Sequence, residues 1–185
     1  MAQQSLGTVK TKISRQYHNL ADSSFNHVTD NFIGTSISHN NSTDAADVGT
    51  LTIPAGRLNA GTIIRVTSFG TVIDNNSTDT LTPILNLTHG STTVALATGA
   101  ALDVADNDIV SAESVIHILT TGAAGTFVAT SKITTNTGDT VVRSVNTSTA
   151  IDTTVATVIA LNADWSAANA DNEYTHLSHT AQVFG

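Results

Sequence analysis

The sequence predicts an all-β fold, a sandwich or a barrel, on three observations. Of its 185 residues, 32 are Thr, a β-branched residue whose stiff side chain suits extended backbone better than helix. Charged residues make up 12% and hydrophobic ones 40%, so uncharged Ser, Thr and Asn fill the place that charges take in an average domain. Alternating apolar and polar runs recur at spacings of roughly ten residues, the rhythm of short antiparallel strands. The length accommodates one domain.

From Met1 to about Asp47 polar residues interrupt every apolar cluster, and only Asn31–Ser38 resembles a strand. Residues 1–47 therefore read as an extended N-terminal arm that needs the body or a partner to hold it, with residues 48–185 as the sandwich. Thr50–Ile53 is a short strand stopped by Pro54-Ala55-Gly56, and Gly61–Ile73 is a long one in which Gly70 suggests a bulge or bend. Thr80–Thr88 follows, where Pro83 lacks an amide donor and predicts an edge or bulged strand. His89-Gly90-Ser91 is a hairpin signal leading into Thr92–Ala97.

Further strands are expected at Ile109–Leu119, Gly125–Thr134, Thr140–Val145, Thr153–Ala163 and Glu173–Phe184, separated by Asn, Asp and Gly turns. In the fourth of these Val155, Thr157, Ile159 and Leu161 share one side, and Ala156, Val158 and Ala160 the other. A strand apolar on both sides is central or lies at a subunit contact.

Cys is absent, which excludes disulfides and thiolate chemistry. Seven Lys and Arg against fifteen Asp and Glu give a net charge of −8, so no nucleic-acid partner is expected. Apolar runs are too short for a membrane span, and no membrane partner is expected either. The charge is uneven, because Lys10, Lys12 and Arg15 precede the first acid, Asp22.

Candidate chemistry is sparse. On a regular strand His176 and His179 point to opposite faces, which disfavours a shared metal. Asp103, Asp106, Asn107 and Asp108 form an oxygen-rich turn, but Val104 and Ala105 break calcium-loop spacing, and an Asx turn fits better. No Gly-x-Ser-x-Gly elbow, His-Glu-x-x-His or phosphate loop occurs. Neither enzyme activity nor a cofactor is expected.

Thr52-Ile53-Pro54-Ala55-Gly56 with Leu58, then Gly61–Val66 and Phe69–Val72, resembles an opening seen in many tailed-phage virion proteins. Ser77–Thr82, Asp103–Asp108, Gly122–Ala129, Ala150–Thr154 and Ala163–Asn172 fit the same resemblance in order and spacing. It implies a jelly-roll-like antiparallel β-sandwich, used as a capsid decoration (cement) protein or as a head- or tail-fibre module. The expected partners are then other copies of the chain, as a homotrimer, and the major capsid protein, on the exterior of a virion.

Under that reading Lys10, Lys12 and Arg15 of the arm are candidate capsid contacts, and Val155, Ile159, Leu161 and Trp165 a candidate oligomer interface. The fibre alternative would use the loop tips Asn75–Asp79 and Ala167–Asn172 to recognise a cell-surface glycan or protein.

Overall fold

The computed structural model describes residues 28–40, 42–73, 78–136 and 141–185. Among them thirteen strands follow one another without a helix: β1 (Val28–Ile33), β2 (Thr35–Ser36), β3 (Ser38–Asn40), β4 (Ala46–Ile53), β5 (Ile63–Ile73), β6 (Thr80–His89), β7 (Thr92–Thr98), β8 (Leu102–Asp103), β9 (Ile109–Thr120), β10 (Gly125–Thr135), β11 (Val141–Ile151), β12 (Thr157–Trp165) and β13 (Glu173–Phe184). The larger sheet has the order β1-β13-β5-β9-β10-β11, with β3 also on β13, and the smaller has β2-β4-β12-β6-β7, with β8 on β6. All pairings are antiparallel.

The pairing is nested. β6 joins β7 through a tight turn at Gly90, whose φ of 56° suits glycine. Outside that hairpin β5 pairs with β9, then β4 with β12, then β1 with β13. The pairs fall in the larger and smaller sheets by turns, which is what a long two-stranded ribbon does when it rolls up into a jelly roll. The β10–β11 hairpin extends the larger sheet beyond β9.

Alternation explains why the sheets stack. In β6 every second residue is buried, including Leu81, Leu85 and Leu87, and in β9 Val110, Ala112, Ser114, Ile116 and Ile118 point inward. Together with Ile64, Phe127, Ile133, Ile159, Leu161, Trp165 and Tyr174 they form one core between the sheets. β12, apolar on both sides, is central, lying between β4 and β6.

Both open sides of the sandwich are stitched. On one, Asn146 Nδ2 of β11 donates to the carbonyl of Ala95 in β7 at 3.2 Å. On the other, residues 28–40 cross between layers: β1 pairs with β13, β2 with β4, and β3 with β13 again. This part of the expected 1–47 arm is thus sheet structure, since its few apolar residues and its backbone groups find partners in the body. Residues 1–27 lie outside the described residues.

Several local expectations are corrected. Pro83 is not on an edge strand, since β6 has neighbours on both sides. Its carbonyl accepts from Gly99 N–H, so its missing N–H faces the same way, into the gap between the end of β7 and the start of β8. β5 runs unbroken through Gly70, and the bulge lies on its partner β13, between His176 and Ser178. Gly70 is needed for closeness instead: an added Cβ would lie 2.6 Å from Tyr174 Cζ and Oη. β11 continues to Ile151 past the polar Asn146–Ser148, which it absorbs as a bulge with Ser148 at φ 47°.

Candidate docking face and buried histidine pair

Strand parity sets the outer face of the larger sheet. Across β5, β9, β10 and β11, Arg65, Val115, Thr130 and Val145 stand in one row, and Thr67, Glu113, Lys132 and Arg143 in the next. The β9, β10 and β11 members of the two rows border a shallow hollow of about 290 Å³. Lys132 Nζ is 3.2 Å from Glu113 Oε1, and the Arg65 guanidinium lies 5.3 Å from the centroid of the Phe184 ring.

Exposed apolar side chains gather on this face. Among the described residues ten large hydrophobics are exposed, and nine of them, among them Ile33, Phe69, Ile109, Val115, Val145 and Leu177, belong to strands of the larger sheet, whose other side is core. Val145 is 66% exposed and Leu177 53%. Single exposed hydrophobics need no explanation, whereas a set sharing one sheet face is a candidate interaction surface.

The outer face of the smaller sheet is different. Its outward rows read Thr52-Val158-Thr88-Thr93 and Thr50-Ala160-Asn86-Ala95, followed by Asp47 and Asn162, with Asn162 Nδ2 donating to Asp47 Oδ1 at 3.3 Å. Thr88 and Thr93 hydroxyls are 2.9 Å apart. This surface holds hydroxyls, amides and carboxylates.

Inside, the bulge on β13 has an unexpected consequence. Leu177 is the extra residue between the pairs His176–Gly70 and Ser178–Phe69, so side-chain parity flips and both His176 and His179 point into the sandwich. The expectation of opposite faces is thereby corrected. Their rings stand edge to face with centroids 5.8 Å apart. His176 Nδ1 lies 2.9 Å from Ser36 Oγ and Nε2 2.9 Å from Ser68 Oγ, and His179 Nε2 donates to the carbonyl of Ile159 at 2.9 Å.

Two glycines make room for the rings. A Cβ at Gly49 would lie 2.5 Å from His176 Cε1 and Nε2, and one at Gly34 2.8 Å from His179 Cδ2. Gly34 N–H also donates to the His179 carbonyl at 2.7 Å. The pair therefore latches the crossing segment 28–40 onto β13. Burial lowers the His176 pKa to about 4, with the nearby His179 pushing the same way, and burial likewise lowers that of His179, against the raising effect of its bond to Ile159. Both rings are neutral at neutral pH.

Ser68 and His176 have the spacing of a nucleophile and its base, but Ser68 is fully buried and the second ring nitrogen meets the Ser36 hydroxyl instead of a carboxylate. The arrangement fixes packing and offers no substrate an approach. Among the described residues no group of three or more His, Asp or Glu is placed to hold a metal. Asp108 N–H donates to the Ala105 carbonyl at 3.0 Å and Asp108 Oδ2 accepts from Ala105 N–H at 2.9 Å, with Asn107 at φ 67°, so a β-turn closed in both directions leads into β9 in place of the expected Asx turn, whose side chain would reach forward two residues.

Three of the four residues expected at an oligomer interface are placed otherwise. Ile159, Leu161 and Trp165 are buried within one chain, so their side chains serve the core and have no surface to offer a second copy. Val155, half-buried, sits in the turn before β12, where Asp152 Oδ1 accepts from both the N–H and the hydroxyl of Thr154. Lys10, Lys12 and Arg15 lie outside the described residues.

Of the two loop tips named for a fibre module, Asn75–Ser77 lie outside the described residues, while Asp79, which leads into β6, meets the second. Asn169 and Asn172 donate through Nδ2 to Asp79 Oδ2 at 3.3 and 3.0 Å. The outward Arg65, Val115, Lys132, Arg143 and Val145 were not legible as a site. Their signal was the apolar residue out of phase with the buried alternation, as in Val141-Val142 and Ile63-Ile64.

Fold and surface together define a jelly-roll sandwich with one apolar, cationic outer face and one hydroxyl-rich one. Compared with known proteins, the chain matches no family model and no curated protein by sequence.

Proposed function

We propose that this protein is a virion structural protein that decorates a capsid, seating its sandwich on the outside of a shell of major capsid protein and acting as a homotrimer. It works by binding, with no bond made or broken. The observation that carries this reading is the gathering of exposed hydrophobics on one outer face of the larger sheet, a surface that a free monomer would expose at a cost in solubility. The jelly-roll topology is compatible with many functions and adds only that capsid proteins are among its users. Scarcity of charge also supports an assembled state, because weakly charged strands lack the usual protection against edge pairing.

Electron cryomicroscopy of purified virions tests the reading. Three-lobed density repeated over the shell, removed when the gene is deleted and restored by added protein, is the expected result. Particles that never contain the chain would sink it.

A second reading has its own observation. The bonds from Asn169 and Asn172 to Asp79 tie the loop before β13 to the residue leading into β6, which suits a fibre or receptor-binding module that presents loop tips to a host glycan or protein. Copy number separates the two: a few copies at a vertex or tail favour the fibre, and many over the shell favour decoration.

A further inference from the structure

We infer that the outer face of the larger sheet docks on another protein whose surface combines apolar groups with carboxylates, and that this face does not receive a second copy of the chain. The inference rests on the docking reading above and names the chemistry of the partner.

Charge on this face is opposite to that of the molecule. Four Lys and Arg and twelve Asp and Glu lie among the described residues. Three of the four cations, Arg65, Lys132 and Arg143, stand on this face, the fourth, Arg57, being paired with Asp30. Only two of the twelve acids, Glu113 and Glu173, stand there. Glu113 is engaged by Lys132, while Arg65 lies over Phe184 and neither Arg65 nor Arg143 forms an ion pair with a described residue. In a chain of net charge −8 such a cationic island among Val115, Val145 and Phe69 complements a surface of opposite sign and similar apolarity.

Neither face of a second copy answers that description. A two-fold contact of this face with itself would bring together two patches of the same net sign, each with three cations against two acids. The outer face of the smaller sheet has the right sign, through Asp47 and Asp164, but its Thr and Asn rows hold none of the exposed large hydrophobics. Contacts within a trimer therefore use other parts of the surface.

The test uses the full chain and two probes. Gold-supported monolayers of mixed methyl- and carboxylate-terminated thiols imitate the inferred partner, with methyl and quaternary-ammonium mixtures as the counterpart. Virion shells stripped of the chain are the second probe. Wild-type protein is expected to be retained about tenfold more strongly on the carboxylate mixture, and the charge-reversed double variant Arg65→Glu/Arg143→Glu to lose that preference, in a salt-dependent way. On shells the same variant is expected to lose occupancy, whereas Thr52→Glu on the opposite face keeps it, both variants melting as the wild type does.

Wild-type occupancy on shells with the double variant equally bound would overturn the inference and leave decoration standing. No binding to shells, with the monolayer preference and its reversal intact, would sink decoration and keep the chemistry of the face. Retention on phosphatidylglycerol vesicles or duplex DNA equal to that on the carboxylate mixture would also overturn it.

Discussion

The two sheets share one core and differ in what they turn outward. The larger presents Val115, Val145, Phe69 and three cations to solvent, and the smaller presents Thr50, Thr52, Asn86 and Thr88. Both alternate with the same period of two, and both bury the inward rows of their central strands, while β11 and β7 at the edges are only partly buried on that side. The lesson is that burial of one row is dictated by the fold's stability, while the opposite row is free to answer to a partner. Where that row is apolar at no gain to the isolated chain, a partner of the kind proposed above would supply the physical reason for it.

The comparison is broken most forcefully from inside. Trp165→Ala, on the inner row of the smaller sheet, empties a site that is 2% exposed and is expected to cost about 3–5 kcal/mol, read as a drop in the urea midpoint. A loss near zero would mean that the inner rows are no more constrained than the outer ones.

Acid probes the inner row of the larger sheet. The ordinary histidine pKa is 6.5, and burial lowers that of His176 to about 4 in the folded protein. Between those values the unfolded chain takes up a proton that the native ring refuses, so the contribution is complete above pH 6.5 and is lost as pH falls toward 4. A loss on the order of 2–3 kcal/mol is expected across that window, with His179 adding in the same direction. Denaturant midpoints measured against pH check it: His176→Gln should flatten the slope, and an unchanged slope would show that the ring is not the group being titrated.

Gly49→Ala is the next smaller effect. The new methyl meets the His176 ring, itself held between Ser36 and Ser68, and overpacking of this kind costs about 1–3 kcal/mol. Protection of the Gly34 N–H in hydrogen exchange should fall with it, because that amide donates to His179 on the same latch. Unaltered protection would separate the crossing segment from the histidines.

The smallest effect on stability sharpens the contrast. Val145→Ser removes an apolar group that is 66% exposed, and stability is expected to stay within about 0.5 kcal/mol of wild type by thermal melting. A larger loss would show that Val145 supports the fold itself and is no part of a docking surface.

Much of the fold was legible residue by residue. Glu173–Phe184 was expected as a strand and is one, and that Phe127, Ala129 and Ser131 share one side of their strand follows from alternation alone. Polarity misled where the backbone keeps its extended path through a bulge, as at Asn146–Ser148 in β11. It misled again at Pro83, whose missing donor is tolerated by a gap between two neighbouring strands rather than by an edge. The histidines illustrate the same limit, since no feature of His176-Leu177-Ser178-His179 announces that Leu177 is an extra residue.

The sequence by itself determined that the chain is all-β, where most strands lie and which residues share a side, because alternation, β-branching and turn residues are local properties of the backbone. Only the tertiary structure decided which side became core, that the N-terminal segment 28–40 belongs to both sheets, and that Ile159, Leu161 and Trp165 face inward while Val115 and Val145 face out. Those outcomes depend on which strands pair and in what register. Pairing joins residues more than a hundred positions apart, as Phe32 and Ala181 are, and a single inserted residue such as Leu177 reverses every side chain before it relative to those after it.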